Sequence, residues 1–200
     1  MAIVSHRLQP TSTMELAALS LDLERRAEDI HEPEFAAYAP LVRFEAFLSA
    51  QRLFGWVRLD ADRLTDLLNA HDLVRLTNVL IEEHRDGKVV SADETVIPRS
   101  EIVAVIASGP RGDPRRQVET HARAVVIDSG MYRFGGLVHA PTGVVTEQRM
   151  CDGGPMVPLT QAWLEYRVGA RYRREPVDTV VVNCGSATRV EFVSEPAAFD

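Results

Sequence analysis

One stretch occurs twice in this chain, and that repetition narrows the fold more than any other feature. Val42-Arg-Phe-Glu-Ala-Phe-Leu-Ser-Ala-Gln-Arg-Leu-Phe-Gly-Trp-Val-Arg-Leu59 returns in altered form as His121-Ala-Arg-Ala-Val-Val-Ile-Asp-Ser-Gly-Met-Tyr-Arg-Phe-Gly-Gly-Leu-Val138. Each copy has an early arginine (Arg43, Arg123), a short turn, and then Phe-Gly, with Phe54-Gly55 set against Phe134-Gly135. A second echo follows at similar spacing: Arg75-Leu-Thr-Asn-Val79 is answered by Pro158-Leu-Thr-Gln-Ala162. Self-similarity on this scale means a supersecondary unit used twice.

The unit itself reads as β structure. Val42, Phe44, Ala46 and Leu48 alternate with Arg43 and Glu45, the period of a half-buried strand. Phe47 breaks the alternation, so the outer face of that strand is partly covered. Ser49-Ala-Gln51 connects it to Leu53–Leu59, where Gly55 marks a bend or bulge in a strongly curved sheet. Leu64, Leu67 and Leu68 give the short segment after Asp62 an apolar side. Leu73–Glu83 is the next strand, His84-Arg-Asp-Gly-Lys88 a polar turn, and Glu94–Ala107 the closing strands, with Pro98 either ending one of them or placing it at an edge. Five short strands in about 70 residues fit a small antiparallel barrel better than a βαβ unit. Beyond a Pro- and Gly-rich linker, the order resumes with Ala122–Asp128, Tyr132–His139 and Thr179–Val193. Val180-Val-Val-Asn-Cys-Gly-Ser-Ala-Thr-Arg-Val190 follows the pattern of Val96–Val105 with an insertion.

Before the first copy, Ser12 or Thr13 caps a helix whose stripe is Leu16, Leu19, Leu23 and Ala27, and Pro33 ends it. The expected organisation is therefore an N-terminal arm and helix (1–40), a first barrel (41–109), a linker (110–119), a second barrel (120–195) and a tail (196–200).

These residues resemble a tandem pair of Sm-like domains: small, bent, five-stranded, SH3-like barrels with a leading helix. The duplicated bacterial members of that family are the natural home the likeness suggests. It implies a mainly β fold, side-by-side assembly, and RNA contact near the residues after the second and fourth strands. Here those positions hold Asp66 and Asn69, then Arg99 and Ser100. The Asp66–Asn69 spacing is one residue shorter than in the family, and Arg99 lacks its following glycine. The second copy carries Asn183-Cys184-Gly185 instead.

No residue set composes an enzyme signature. Asp60, Asp62 and Asp66 lack the spacing of a cation loop and read as solvated turn acids. The histidines, His71, His84, His121 and His139 among them, are scattered, which suits surface or edge positions, and no nucleophile elbow is present. Cys151 and Cys184 stand apart without a neighbouring base, as in a reduced protein rather than a disulfide framework or zinc site. No Gly-Lys-Ser/Thr follows the glycines at 109, 112, 153 and 154, so a phosphate loop is not expected. Phe54, Trp56 and Phe134 read as core or inter-barrel packing. Neither a signal peptide nor an apolar run long enough to span a bilayer is seen, so the expected location is cytoplasmic, without membrane contact.

The arginines leave three readings open. Arg111, Arg115 and Arg116 lie in the linker, and Arg167, Arg171, Arg173 and Arg174 crowd one hairpin end with Tyr166 and Tyr172. They can hold phosphates and stack bases, pair with acids of the leading helix, or face solvent. A net charge of -7 weighs against indiscriminate nucleic-acid binding without excluding a focused patch. The leading expectation is a non-enzymatic structural or protein-interaction module, a homo-oligomer or partner-binder, without a cofactor. RNA or single-stranded nucleic-acid binding comes second, and a small-molecule site between the barrels third.

Overall fold

A computed structural model describes residues 39–110, 118–146, 150, 154–168 and 171–193. The leading helix, the linker arginines, Cys151 and the C-terminal tail lie outside the described residues. The chain is mainly β. Ten strands form one continuous antiparallel sheet: β1 (Leu41–Leu48), β2 (Gln51–Arg58), β3 (Leu73–Glu83), β4 (Val89–Pro98), β5 (Ile102–Ile106), β6 (Thr120–Ser129), β7 (Tyr132–Pro141), β8 (Met156–Val168), β9 (Arg171–Asn183) and β10 (Arg189–Val193). The short helix α1 (Leu64–Ala70) joins β2 to β3, burying Leu64, Leu67 and Leu68.

Strand order is β10-β6-β7-β8-β9-β5-β1-β2-β3-β4. The run β5-β1-β2-β3-β4 is thus repeated, strand for strand, by β10-β6-β7-β8-β9. A three-residue helical turn follows the fourth strand in each half, η1 (Arg99–Glu101) and η2 (Cys184–Ser186). Two tandem small barrels are the expectation from the sequence; the pairing gives one continuous open sheet, because β5 takes β9 as its outer neighbour.

The repeat is exact enough to align residue by residue, and it corrects the sequence register. In the first half the β2–β3 ladder slips at Gly55, which faces Asn78 and Val79; Asn78 adopts positive φ. In the second half the ladder slips at Gly136, opposite Gln161 and Ala162, and Gln161 adopts positive φ. A Cβ on Gly55 would lie 3.1 Å from the Thr77 carbonyl oxygen, and one on Gly136 would lie 3.0 Å from that of Thr160. These are the same bulge, which bends the strand at a residue without a side chain. Gly55 therefore corresponds to Gly136, not Gly135, and Arg43 to Ala124 rather than Arg123. The Leu-Thr-amide echo falls in register, since Leu76-Thr77-Asn78 and Leu159-Thr160-Gln161 flank equivalent bulges. Gly135 is small for its own reason: a Cβ there would lie 2.3 Å from the Trp163 ring.

Two apolar clusters fill the molecule. One gathers Phe44, Leu53, Val57, Leu68, Leu76 and Val105 of the first half; the other gathers Ile127, Phe134, Leu159, Leu164 and Val180 of the second. Each borrows from the other half. Met156 and Val181 enter the first cluster, while Phe47, Val103 and Ala104 enter the second. Phe47 is buried, as its break in alternation predicts, and what covers it is the other half of the chain. Replacing Gly135 by Ala should displace the Trp163 ring and cost about 1–3 kcal/mol in urea denaturation, with Trp163→Leu in the same chain recovering part of the loss.

Candidate functional site

The positions that the sequence singles out for ligand contact fall in two places: Asp66, Asn69 and Arg99 around α1, where Arg99 touches Asn69, and the rest along β8 and β9. Asp66 is held in a two-point ion pair by Arg63, with both Nε–Oδ2 and Nη2–Oδ1 at 2.9 Å. Asn69 clamps the two halves together: its amide nitrogen donates to the Met156 carbonyl at 2.9 Å, and its amide oxygen accepts from the Met156 N–H at 3.1 Å. Arg99 closes the C-terminal end of α1, donating to the carbonyls of Leu68 and Asn69 and to the Asp72 carboxylate. Free carbonyls at a helix end are satisfied in this way by a nearby cation. Both Asn69 and Arg99 are thus committed to structure.

The basic hairpin end is an extension of strands β8 and β9 rather than a broad turn, because cross-strand pairing continues to Val168 and Arg171. Antiparallel partners share a face, so Arg167 and Tyr172 lie on one side with Glu165 and Arg174, and Tyr166 and Arg173 lie on the other. Tyr172 is 70% exposed, and Arg167 is exposed opposite it. Arg174 stacks its guanidinium 4.6 Å from the centroid of Trp163, and Arg173 lies 3.8 Å from the Glu175 carboxylate. The Arg171 side chain lies outside the described residues. Tyr166 cannot stack on a ligand as the sequence suggests: it is 0% exposed, because β1 and β2 pack over its face.

Tyr166 instead joins the most concentrated chemistry in the molecule, a buried polar network at the seam between the halves. Arg52 binds the Glu45 carboxylate through Nε at 2.9 Å and through Nη2. It also donates through Nη1 to the Tyr166 hydroxyl at 3.0 Å. That hydroxyl donates onward to Glu175 at 3.0 Å. The guanidinium lies 4.5 Å from the Phe54 ring centroid and 5.2 Å from that of Phe47. Burial works against the Arg52 cation, but Glu45, Tyr166 and Glu175 outweigh it and raise its pKa further above the usual range. Burial is also the main reason that the Tyr166 phenol is pushed up to about 12.

His84 extends the network. Its Nε2 is hydrogen-bonded to the Tyr132 hydroxyl, which donates to the Leu48 carbonyl. Burial, and then the positive charge of Arg52, lower the His84 pKa, so the ring is held neutral. The surface-or-edge expectation therefore fails for His84, because the start of β7 covers it. His71, by contrast, is half exposed and lies 3.6 Å from Asp60.

Composition alone could not show this network, yet one clue is visible in the sequence. Glu45 and Arg52 are opposite charges flanking Phe47 and Leu48, seven residues apart across a tight hairpin. Chemically the arrangement is closed. Arg52 faces Glu45 and Glu175, Glu175 also lies 3.8 Å from Arg173, and the seam around them is filled by Phe47, Tyr132, Phe134 and Tyr166, all buried. Among the described residues, no group of three or more His, Cys, Asp or Glu side chains is placed to hold a metal ion. No helix among them is long and apolar enough to cross a membrane. Comparison with protein-family models, curated proteins and solved structures finds no match.

Removing one member of a buried ion pair strands the other, so Arg52→Met should cost about 3–5 kcal/mol by chemical denaturation. A depressed histidine pKa means that the unfolded chain takes up a proton first as pH falls. Stability contributed by neutral His84 is complete above the ordinary imidazole pKa and declines as pH drops through about 6.5 towards the depressed value. His84→Gln should flatten that part of the stability–pH curve.

Proposed function

We propose that this chain is a non-enzymatic interaction module that assembles with copies of itself, and that each half is a bent, Sm-like five-stranded barrel. One observation carries the reading. The halves join by pairing the fifth strand of one unit with the fourth strand of the other, β5 with β9, and among the described residues the sheet ends on the remaining fourth and fifth strands, β4 and β10. A surface that has already paired inside the chain is therefore presented again, in complementary form, at its two edges. Unpaired strand edges template further strands, and a contact between unlike surfaces propagates head to tail into a ring or a fibre. The buried charges are spent on holding the seam, which suits a scaffold better than a reaction centre.

Light scattering over a wide concentration range should give masses above the 22.2 kDa of one chain, rising with concentration. A 22.2 kDa particle throughout would exclude self-assembly.

A second reading rests on the exposed Arg167–Tyr172 pair, a cation beside a stacking surface at the tip of β8 and β9. Single-stranded RNA would be held there by phosphate contact and base stacking. Binding of a short labelled RNA at low salt, weakened by Tyr172→Ala and by added salt, supports it; no binding at low salt removes it.

A further inference from the structure

The two halves are held together unevenly along their length. The β5–β9 ladder runs from Ala104–Val182 to Ile106–Val180, with one further bond from the Ala107 N–H to the Thr179 carbonyl. Asn69 clamps Met156 beyond the Val182 end, where Met156 pairs with Asn183. Past the Thr179 end, no backbone–backbone hydrogen bond crosses the seam among the described residues. Glu175 lies on that stretch, four residues or about 13 Å further along β9. Side chains must close the seam there, and His84 sits among them.

Counting protons fixes the His84 tautomer. The Tyr132 hydroxyl has one proton and gives it to the Leu48 carbonyl, so His84 Nε2 donates to that hydroxyl oxygen. Nδ1 is then a bare lone pair. It is also the one buried side-chain polar atom among the described residues without a hydrogen-bond partner, in a residue 5% exposed. Such orphans are rare in folded proteins, and what this nitrogen can take is a proton. Its surroundings make that proton disruptive. The Tyr132 ring of β7 and the Tyr166 ring of β8 lie 5.7 and 6.1 Å from the imidazole. Arg52 stands on β2, engaged by Glu45 of β1 and by Glu175 of β9, which also faces Arg173. Beside His84 in sequence, Glu82 is buried, while Glu83 and Arg85 are exposed. Burial is the main obstacle to charging the ring and the Arg52 cation the next; the Gln51 backbone, which favours the proton, is outweighed. Burial also raises the Tyr132 phenol, which therefore keeps its own proton as the pH falls.

We infer that this end of the seam is a latch opened by a proton: when His84 Nδ1 is protonated, Tyr132 parts from Leu48 and from His84, and the β1–β2 hairpin swings away from β7 and β8. The β5–β9 ladder and the Asn69 clamp act as the hinge and keep the halves joined. Opening turns Phe47, Tyr132 and Tyr166, now packed ring against ring, into an exposed aromatic surface. The latch lies within one chain and does not depend on self-assembly. In the open state the imidazole meets water and regains its ordinary affinity for a proton. Opening therefore takes up a proton and is favoured below about pH 6.5. One proton raises the opening constant by at most about tenfold per pH unit.

The test uses the full chain with Cys151→Ser and Cys184→Ser as background, and spin labels on pairs of introduced cysteines. Ser49→Cys with Tyr172→Cys, both exposed, spans the latch end. Ser100→Cys with Thr188→Cys, also exposed, joins the halves elsewhere. Between about pH 7.5 and about pH 5 the first pair should gain a wider distance population, by up to about tenfold per pH unit, while the second stays unchanged. Adding His84→Gln should hold the first pair at its narrow distance throughout. Nitrogen NMR of the imidazole in the unmodified chain gives a reading that needs no variant. It should show the proton on Nε2 at neutral pH, and protonation of Nδ1 in step with the widening. A proton on Nδ1 at neutral pH overturns the latch, as does titration without widening, or no widening down to about pH 5. So does widening that persists in folded His84→Gln, which would assign it to the carboxylates of Glu45, Glu82 or Glu175. Both pairs widening together would mean general unfolding and would also overturn it.

Discussion

Three residue pairs between β5 and β9 organise this molecule. Ala104–Val182, Val105–Val181 and Ile106–Val180 are the only ladder joining the two halves of the sheet among the described residues. Backbone pairing over so short a length would hold two lobes loosely. What stiffens it is the exchange of side chains across it, with Met156 and Val181 going one way and Phe47, Val103 and Ala104 the other. Each half completes the core of its neighbour, so the hydrophobic gain of folding either unit depends on the other being in place.

Around that ladder sit two polar devices that define the geometry. Asn69 grips both the N–H and the carbonyl of Met156, which tolerates no slip along the strand. The Arg52 network does the same from the opposite end of the seam, tying the β1–β2 hairpin to β8 and β9 through Glu45, Tyr166 and Glu175. A buried charge cluster adds little net stability compared with a packed apolar one, but misalignment would leave charges unpaired at high cost. Together these contacts explain why residues that look like ligand-binding candidates, Asn69, Arg99 and Tyr166, are turned inward or against neighbouring backbone.

Much of the local structure could be read from the chain. Leu73–Glu83 is a strand with those bounds, Leu64, Leu67 and Leu68 face inward from α1, and β4 ends at Pro98. These features depend on period, turn chemistry and proline geometry, which act over a few residues. The register of the repeat was harder. Phe54-Gly55 and Phe134-Gly135 match as letters, yet the bulge falls at Gly136, because Phe134-Gly135-Gly136 offers two glycines and only hydrogen bonding to β8 selects one. Tyr166 and His84 were misplaced for a related reason: whether an amphipathic side chain meets water depends on which distant strand arrives over it.

By itself, then, the sequence determined that the chain is mainly β, that one supersecondary unit is used twice, and roughly where β1, β2, β3, β6 and β7 run. Those properties follow from short-range patterning, which a linear chain carries openly. Only the tertiary structure decided that the two units share one unclosed sheet, that β5 meets β9, and that Arg52 is buried among carboxylates and aromatic rings rather than presented to solvent. Those outcomes rest on contacts between residues as far apart as Arg52 and Tyr166, separated by 114 positions. No local pattern encodes such pairings, because their free energy exists only once both strands are side by side and water has been excluded between them.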